Sequence, residues 1–366
     1  MLRYITEFRD ASACRALIAQ IGESRGAADQ LSFMEFCGGH THAILRSGLR
    51  QALPPWIRML SGPGCPVCVT AQGDIDTAIG LVEQHGVALA TFGDMMRVPG
   101  SGGSLQEARA RGADVRVVYS VLDALKMAES EPAREVVFLG VGFETTAPGT
   151  AAAAQQARAR GVGNFSLLCL HKLTPPAMRA IVEAGEVKLD GVLGPGHVTT
   201  VIGAEAWGFL PREHGLGCAI SGFEPVDLLL AVSELVRMAM SGKPVVANTY
   251  QRSATAAGNA NAKRLLEQVF EPATVPWRGL GSVPASGLVL RPEFASLDAR
   301  VRFPLTLPPA REPAGCRCGE VLRGVLAPTD CPLFGGACTP ESPFGPCMVS
   351  SEGTCAAYYQ FGADCE

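Results

Sequence analysis

The sequence predicts an α/β protein: two parallel-sheet α/β domains facing a cleft, followed by an irregular cysteine-rich region. Short apolar runs alternate with helical periodicity from residue 31 to about 245, and strands spaced by helices pair in parallel because each parallel pair needs a crossover. Polar motifs fall at the carboxyl ends of those runs, where open parallel sheets bind ligands. Seven of the 13 cysteines crowd into the last 51 residues, a stretch rich in Gly and Pro.

Taken in order, residues 1–30 are helix-prone, with Cys14 as a packing residue. Leu31-Ser-Phe-Met-Glu-Phe36 reads as a strand running into Cys37-Gly-Gly-His40-Thr-His42, and 43–49 carries an apolar face at helical spacing. Ser61-Gly-Pro-Gly-Cys65-Pro-Val-Cys68 is a turn, and Ile75, Ala78, Ile79 and Val82 mark the helix after it. Val87–Phe92 is a strand ending in Gly93-Asp94, and Ser104-Leu-Gln-Glu107 is a capping box opening a helix. Strand 115–119 and helix 121–128 close a first domain, 31–133, which carries Cys37 and the Cys65/Cys68 pair.

The second domain, 134–245, starts with Glu135–Val141, which leads into Gly142-Phe-Glu144-Thr-Thr146 and an Ala-rich helix at 150–160. Strand 165–170 ends in His171-Lys172, and Thr174-Pro175 starts a helix. Strand 190–193 runs into Gly194-Pro-Gly-His197, and a strand near 218–220 leads through Ser221-Gly-Phe-Glu224 into a long amphipathic helix, 226–240. A helix follows at 259–270, and 272–315 reads as irregular wrapping chain. Residues 1–30 and 246–366 thus form the wrapping segment and the cysteine-rich domain.

Net charge is −4 with signs interspersed, so there is no basic stripe for nucleic acid and no polybasic segment for a membrane surface. The first ten residues lack the apolar run of a signal peptide, and no segment reaches the roughly 18 apolar residues of a membrane span. A cytoplasmic protein is expected. That compartment keeps structural thiols reduced, so the cysteines point to metal ligation or redox chemistry.

Two residues between Cys65 and Cys68 let their sulfurs form a reversible disulfide or share a metal, and helix-start amides would favour the Cys65 thiolate. The cysteine-rich tail has too few large apolar residues to hold itself by burial, and a metal centre is the natural staple. Separated thiolates on loops suit a cubane iron–sulfur cluster, with structural zinc as the other reading. The Gly-rich turn 98–103 is not followed by Gly-Lys-Ser/Thr, which leaves a nucleotide site weakly supported.

The set Cys37-Gly-Gly-His-Thr-His42, Gly62-Pro-Gly-Cys-Pro-Val-Cys68, Gly142-Phe-Glu-Thr-Thr146, Gly194-Pro-Gly-His197 and the tail from Cys316-Arg-Cys-Gly-Glu to Gly-Thr-Cys355 resembles the HypD family of [NiFe]-hydrogenase maturation proteins. The resemblance runs in order from about residue 30 to 360. It implies a scaffold on which iron acquires cyanide and carbonyl ligands, with a HypC-type small chaperone as partner and a HypE-type cyanide donor as a transient one. Carried over, the iron-holding thiol is Cys37 and the redox pair is Cys65 and Cys68. The [4Fe–4S] ligands are Cys316, Cys331, Cys338 and Cys355, separated by 14, 6 and 16 residues. Cys318, Cys347 and Cys365 stay outside the cluster, with Cys318 able to replace Cys316.

On this reading Gly38 and Gly39 clear space beside Cys37 for a partner and a ligated iron, or serve a tight strand-to-helix turn, and the two roles are compatible. His40 is a ligand, hydrogen-bond donor or proton relay, or else a turn-stabilising group. Asp94, Glu144 and His197 line the cleft as orienting or proton-shuttling groups, or cap helices and pair with Arg97 or Lys172. The rival from another class is a free-standing thiol–disulfide oxidoreductase with a structural metal tail.

Overall fold

The computed structural model describes residues 6–26 and 29–362, so Cys365 and the first five residues lie outside it. Nine strands form two parallel sheets. They are β1 (Leu31–Glu35), β2 (Ile57–Ser61), β3 (Ala88–Thr91), β4 (Val115–Val117), β5 (Val136–Gly142), β6 (Phe165–His171), β7 (Gly191–Pro195), β8 (Gly217–Ser221) and β9 (Val246–Asn248). The first sheet has the order β2-β1-β7-β8-β9 and the second β4-β3-β5-β6.

Local elements follow the sequence closely. The capping box at Ser104 and Glu107 is formed, and the helices Val121–Ser130, Ala147–Arg160, Thr174–Ala184 and Pro225–Ser241 lie within a few residues of their expected places. The central strands are buried, β3, β5, β7 and β8 at every position, as expected of strands covered on both faces, whereas β4 and β9 at the sheet edges are only partly covered.

The sheets divide the chain differently from the expected boundary at 133/134. β3 pairs with both β4 and β5, so that boundary falls inside the second sheet. Strand β1 pairs with β7, Phe33 opposite Gly191, so the first sheet takes strands from both sides of the second, which is inserted between β2 and β7. Alternation in the sequence reports where strands are, while partner choice over such separations is decided by how whole layers pack.

One further departure concerns the wrapping region. Phe270–Trp277 (β10) and Gly281–Leu290 (β11) form an antiparallel hairpin with an irregularity between Ala273 and Val275, where irregular chain was expected. Three prolines hide it: Pro272, Pro276 and Pro284 sit in a two-stranded ribbon whose edges need no continuous ladder. Cys14 packs, half-buried, against the core that also holds the helix Pro225–Ser241. From 316 to 361 there are only short helices, including Cys318–Leu322 and Thr354–Phe361, joined by turns. Among the described residues, no helix is long and apolar enough to cross a membrane.

Candidate functional site

The carboxyl ends of both sheets open on one cavity of about 400 Å³. Gly64, Pro66 and Val67 come from the turn after β2, and Phe92–Met95 from the end of β3. Val141–Phe143, Thr145 and Thr146 follow β5, His197 follows β7, and Ser350–Glu352 belong to the cysteine-rich tail. Asp94 and His197 therefore lie where the strand-end rule puts them.

Cys37 is the N-cap of the helix Gly38–Arg46, which begins earlier than the apolar spacing suggests. Its thiol is 3 % exposed and stands 3.9 Å from His197 Nδ1. The turn bearing the cysteine pair is laced to this position: Gly38 N–H donates to the Gly64 carbonyl at 3.0 Å, and Gly62 N–H to that of Glu35 at 2.8 Å. A Cβ on Gly64 would lie 2.3 Å from the Cys37 backbone, so only glycine permits this approach.

Cys65 and Cys68 stand at disulfide distance, with their Cα atoms 5.2 Å apart. Cys65 caps the single turn Pro66–Val69, and the Cys68 N–H donates to its sulfur at 3.3 Å. The Cys68 sulfur lies 3.7 Å from the Pro346 carbonyl, next to Cys347 in the tail. The pair thus touches the Cys37 loop on one side and the cysteine-rich segment on the other.

The space beside Gly38 and Gly39 is not open, as expected from sequence, but filled by the chain itself. A Cβ on Gly38 would meet the Glu352 carbonyl at 2.3 Å, and one on Gly39 would meet the Phe223 ring at 3.1 Å and the Cys37 sulfur at 3.5 Å. His40 is fully buried. Its Nε2–H donates to the Gly222 carbonyl at 3.0 Å, leaving Nδ1 as an acceptor without a partner. Burial, then His197, lowers its pKa to about 3, and burial lowers that of His197 to about 4, so both imidazoles are neutral near pH 7. Burial first, and the Glu352 carboxylate second, raise the Cys37 pKa well above the ordinary thiol range.

Sequence reasoning missed Glu35. Its carboxylate accepts from the Cys37 N–H at 3.2 Å and from the Thr41 hydroxyl, tying the first turn of the helix to the strand before it. Burial raises its pKa to about 8, against the opposing hydrogen bonds of Thr41, Ser61 and Cys37. An isolated carboxylate between Met34 and Phe36 in a buried strand was the available signal.

Glu144 does not line the cavity. Its Oε1 accepts from Thr174 N–H at 2.7 Å and Oγ1 at 3.1 Å, so it closes the start of the helix Thr174–Ala184 from inside the core. Arg97 and Lys172 pair with neither Asp94 nor Glu144. Arg97 donates to the Pro340 and Val349 carbonyls, tying the second sheet to the tail, and Lys172 donates to the Pro276 carbonyl at 2.6 Å. In the Gly-rich turn, Ser101 N–H and Oγ bind the Asp76 carboxylate at 2.7 and 2.6 Å, filling the place a phosphate would take.

In the tail, Cys316, Cys331, Cys338 and Cys355 line one small cavity together with Cys318 and Cys347. The Phe344 N–H donates to the Cys338 sulfur at 3.3 Å, a contact of the kind that would steady a thiolate there. The donor set fits an iron–sulfur cluster: six sulfurs around one enclosed space exceed the four a cubane needs. The two left outside the expected set, Cys318 and Cys347, face each other at 2.8 Å. Among the described residues no three His, Cys, Asp or Glu side chains converge as a single-ion site.

Fold and site define a class: a parallel α/β protein in which a buried thiol, a neutral imidazole and a disulfide meet beside one inter-sheet cavity, backed by a thiol-lined pocket. The family model described as HypD, hydrogenase formation hypA family, matches residues 12–362. The hydrogenase maturation factor HypD of Rhizobium leguminosarum is 49 % identical over 369 residues, covering 99 % of this chain and 96 % of the relative. That of Cupriavidus necator is 49 % identical, covering 99 % and 97 %, and that of Escherichia coli 44 %, covering 98 % of both. The chain belongs to the HypD family, and its role lies in hydrogenase maturation.

Proposed function

We propose that this chain is the scaffold on which the Fe(CN)2(CO) unit of [NiFe]-hydrogenase is assembled, with the iron held by Cys37 and shared with a HypC-type small chaperone. The observation that carries this reading is the meeting of the Cys37 thiol, His197 and the Cys65–Cys68 turn beside one cavity. Iron that takes cyanide and carbon monoxide is soft enough to favour a thiolate anchor. Cys37 must lose its proton to bind it, and the neutral His197 imidazole, with Nδ1 3.9 Å from the sulfur, flanks the bound group.

A HypE-type partner would deliver cyanide as a thiocyanate on its own cysteine. Freeing it as cyanide breaks the S–C bond and takes two electrons. Closing the Cys65–Cys68 dithiol to the disulfide supplies both electrons and two protons, one taken by the partner's thiolate and the other by the released cyanide or by solvent. Cys316, Cys331, Cys338 and Cys355 would hold a [4Fe–4S] cluster, which would supply electrons one at a time. Asp94 and Glu352, at the cavity wall, are placed to orient the incoming group, whereas Glu144 is left a structural part.

Infrared spectroscopy of the anaerobic complex with the chaperone tests the reading, because cyanide and carbonyl stretches fall where protein does not absorb. Cys37→Ala should still bind the chaperone but carry no iron and no such bands. Bands and iron that persist in Cys37→Ala would remove Cys37 as the anchor.

A further inference from the structure

Phe223 lies in the loop between β8 and the helix Pro225–Ser241, a segment with no assigned part in the chemistry. Its ring centroid is 4.8 Å from that of His40 and 5.2 Å from that of His197. On the same side it presses on Gly39, where an added Cβ would touch both the ring and the Cys37 sulfur. One ring therefore contacts both imidazoles and the glycine that flanks the thiol. It is half-buried and is not among the residues lining the inter-sheet cavity.

The loop that carries it is fixed from two directions. Glu224 and Asp227 form a capping box at the start of the long helix, and Glu224 is also held by the Arg9 guanidinium, with Nη2 at 2.7 Å. Asp227, fully buried, takes both ends of Arg252 at 2.6 Å, and Arg252 in turn lies 3.9 Å from the Phe8 ring centre. Ordering at this level is what a residue needs in order to set the orientation of its neighbours.

We propose that Phe223 is a positioning residue of the Cys37 site: its ring holds the two imidazoles in place and, across Gly39, shields the thiol from solvent. This rests on the reading of Cys37 as the reactive thiol. The ring takes no part in bond making. It keeps His40 directed at the Gly222 carbonyl and His197 directed at the sulfur, and on the Gly39 side it keeps water from Cys37.

Two readouts on the full chain test it, and neither needs iron or a partner. The first is the alkylation rate of Cys37 by iodoacetamide under reducing conditions, read site by site by mass spectrometry. The second is the ring-proton spectrum of the six histidines in selectively labelled protein. Phe223→Ala should raise Cys37 alkylation about tenfold or more, since reaction follows the population of the open form. Phe223→Leu, which keeps the bulk but not the aromatic ring, should leave that rate near the parent's while moving two of the six histidine signals.

The proposal fails if folded Phe223→Ala alkylates Cys37 at the parent rate. It fails equally if Phe223→Leu leaves every histidine signal in place, a result that stands even if the Ala variant does not fold. Either failure leaves the iron-anchor reading to be judged by infrared spectra of Cys37→Ala. Loss of that reading, conversely, would leave both of these readouts unchanged.

Discussion

Glu144 gives the sharpest quantitative test, because it is 1 % exposed and only half satisfied. Oε1 accepts both Thr174 bonds, while Oε2 has no partner. Burial, the largest cause, raises its pKa from 4.5 to about 7, with the Thr174 hydrogen bonds pulling the other way. The folded state thus holds its proton more tightly than the unfolded chain does. Its contribution to stability is fully present below pH 4.5 and is lost as pH rises through about 7. At about 1.4 kcal/mol per pH unit, the separation amounts to roughly 3 kcal/mol by pH 8.

Glu144→Gln keeps an oxygen for Thr174 and removes the charge. The variant should match the parent at pH 4.5 and exceed it at pH 8 by up to about 3 kcal/mol, or about 4 °C in melting temperature for a chain of this length. Calorimetric or fluorescence melts at the two pH values measure this directly. A variant whose melting difference from the parent is the same at both pH values, or negative at pH 8, would show that the buried carboxylate is stabilised by something the structure does not contain. Full maturation activity in the same variant is expected, since Glu144 faces the core and not the cavity.

Arg278 is buried and donates to the Thr70 carbonyl at 3.1 Å, to Gln72 Oε1 at 2.6 Å and to Glu312. Arg278→Met leaves the buried Thr70 carbonyl and Gln72 Oε1 short of a donor and should cost about 3 kcal/mol in urea unfolding; an unchanged midpoint would refute the role assigned to these contacts. In Cys316→Ala, protein that remains folded should bind less iron and sulfide and reduce the Cys65–Cys68 disulfide more slowly. A parent-like reduction rate in folded Cys316→Ala would instead mark the cysteine-rich region as a clamp without an electron-relay role.

What the sequence showed and what it hid separate along a physical line. Strands, helices and caps are local, and each was legible: Ser104 and Glu107 close a capping box within one turn, and the apolar run 136–142 is a strand buried on both faces whatever lies beside it. The strand-end rule then collected Cys37, Asp94 and His197 without knowledge of partner strands, because carboxyl ends of parallel strands share a direction even when their order is unknown. Glu144 escaped the same rule because its place is set one residue at a time. In the loop Gly142–Thr146, residues 142, 143, 145 and 146 line the cavity and residue 144 does not. Sheet membership was hidden for a related reason. Phe33 finds Gly191 across more than 150 residues, and no periodicity within either strand encodes that choice. The two glycines after Cys37 are the instructive case. Absence of a side chain reads as room for a ligand or as a tight strand-to-helix turn; the turn is there, but Glu352 and Phe223 come from more than 180 residues away to fill the space. A glycine reports that something approaches closely, and only the fold says whether the visitor is a partner or the chain itself.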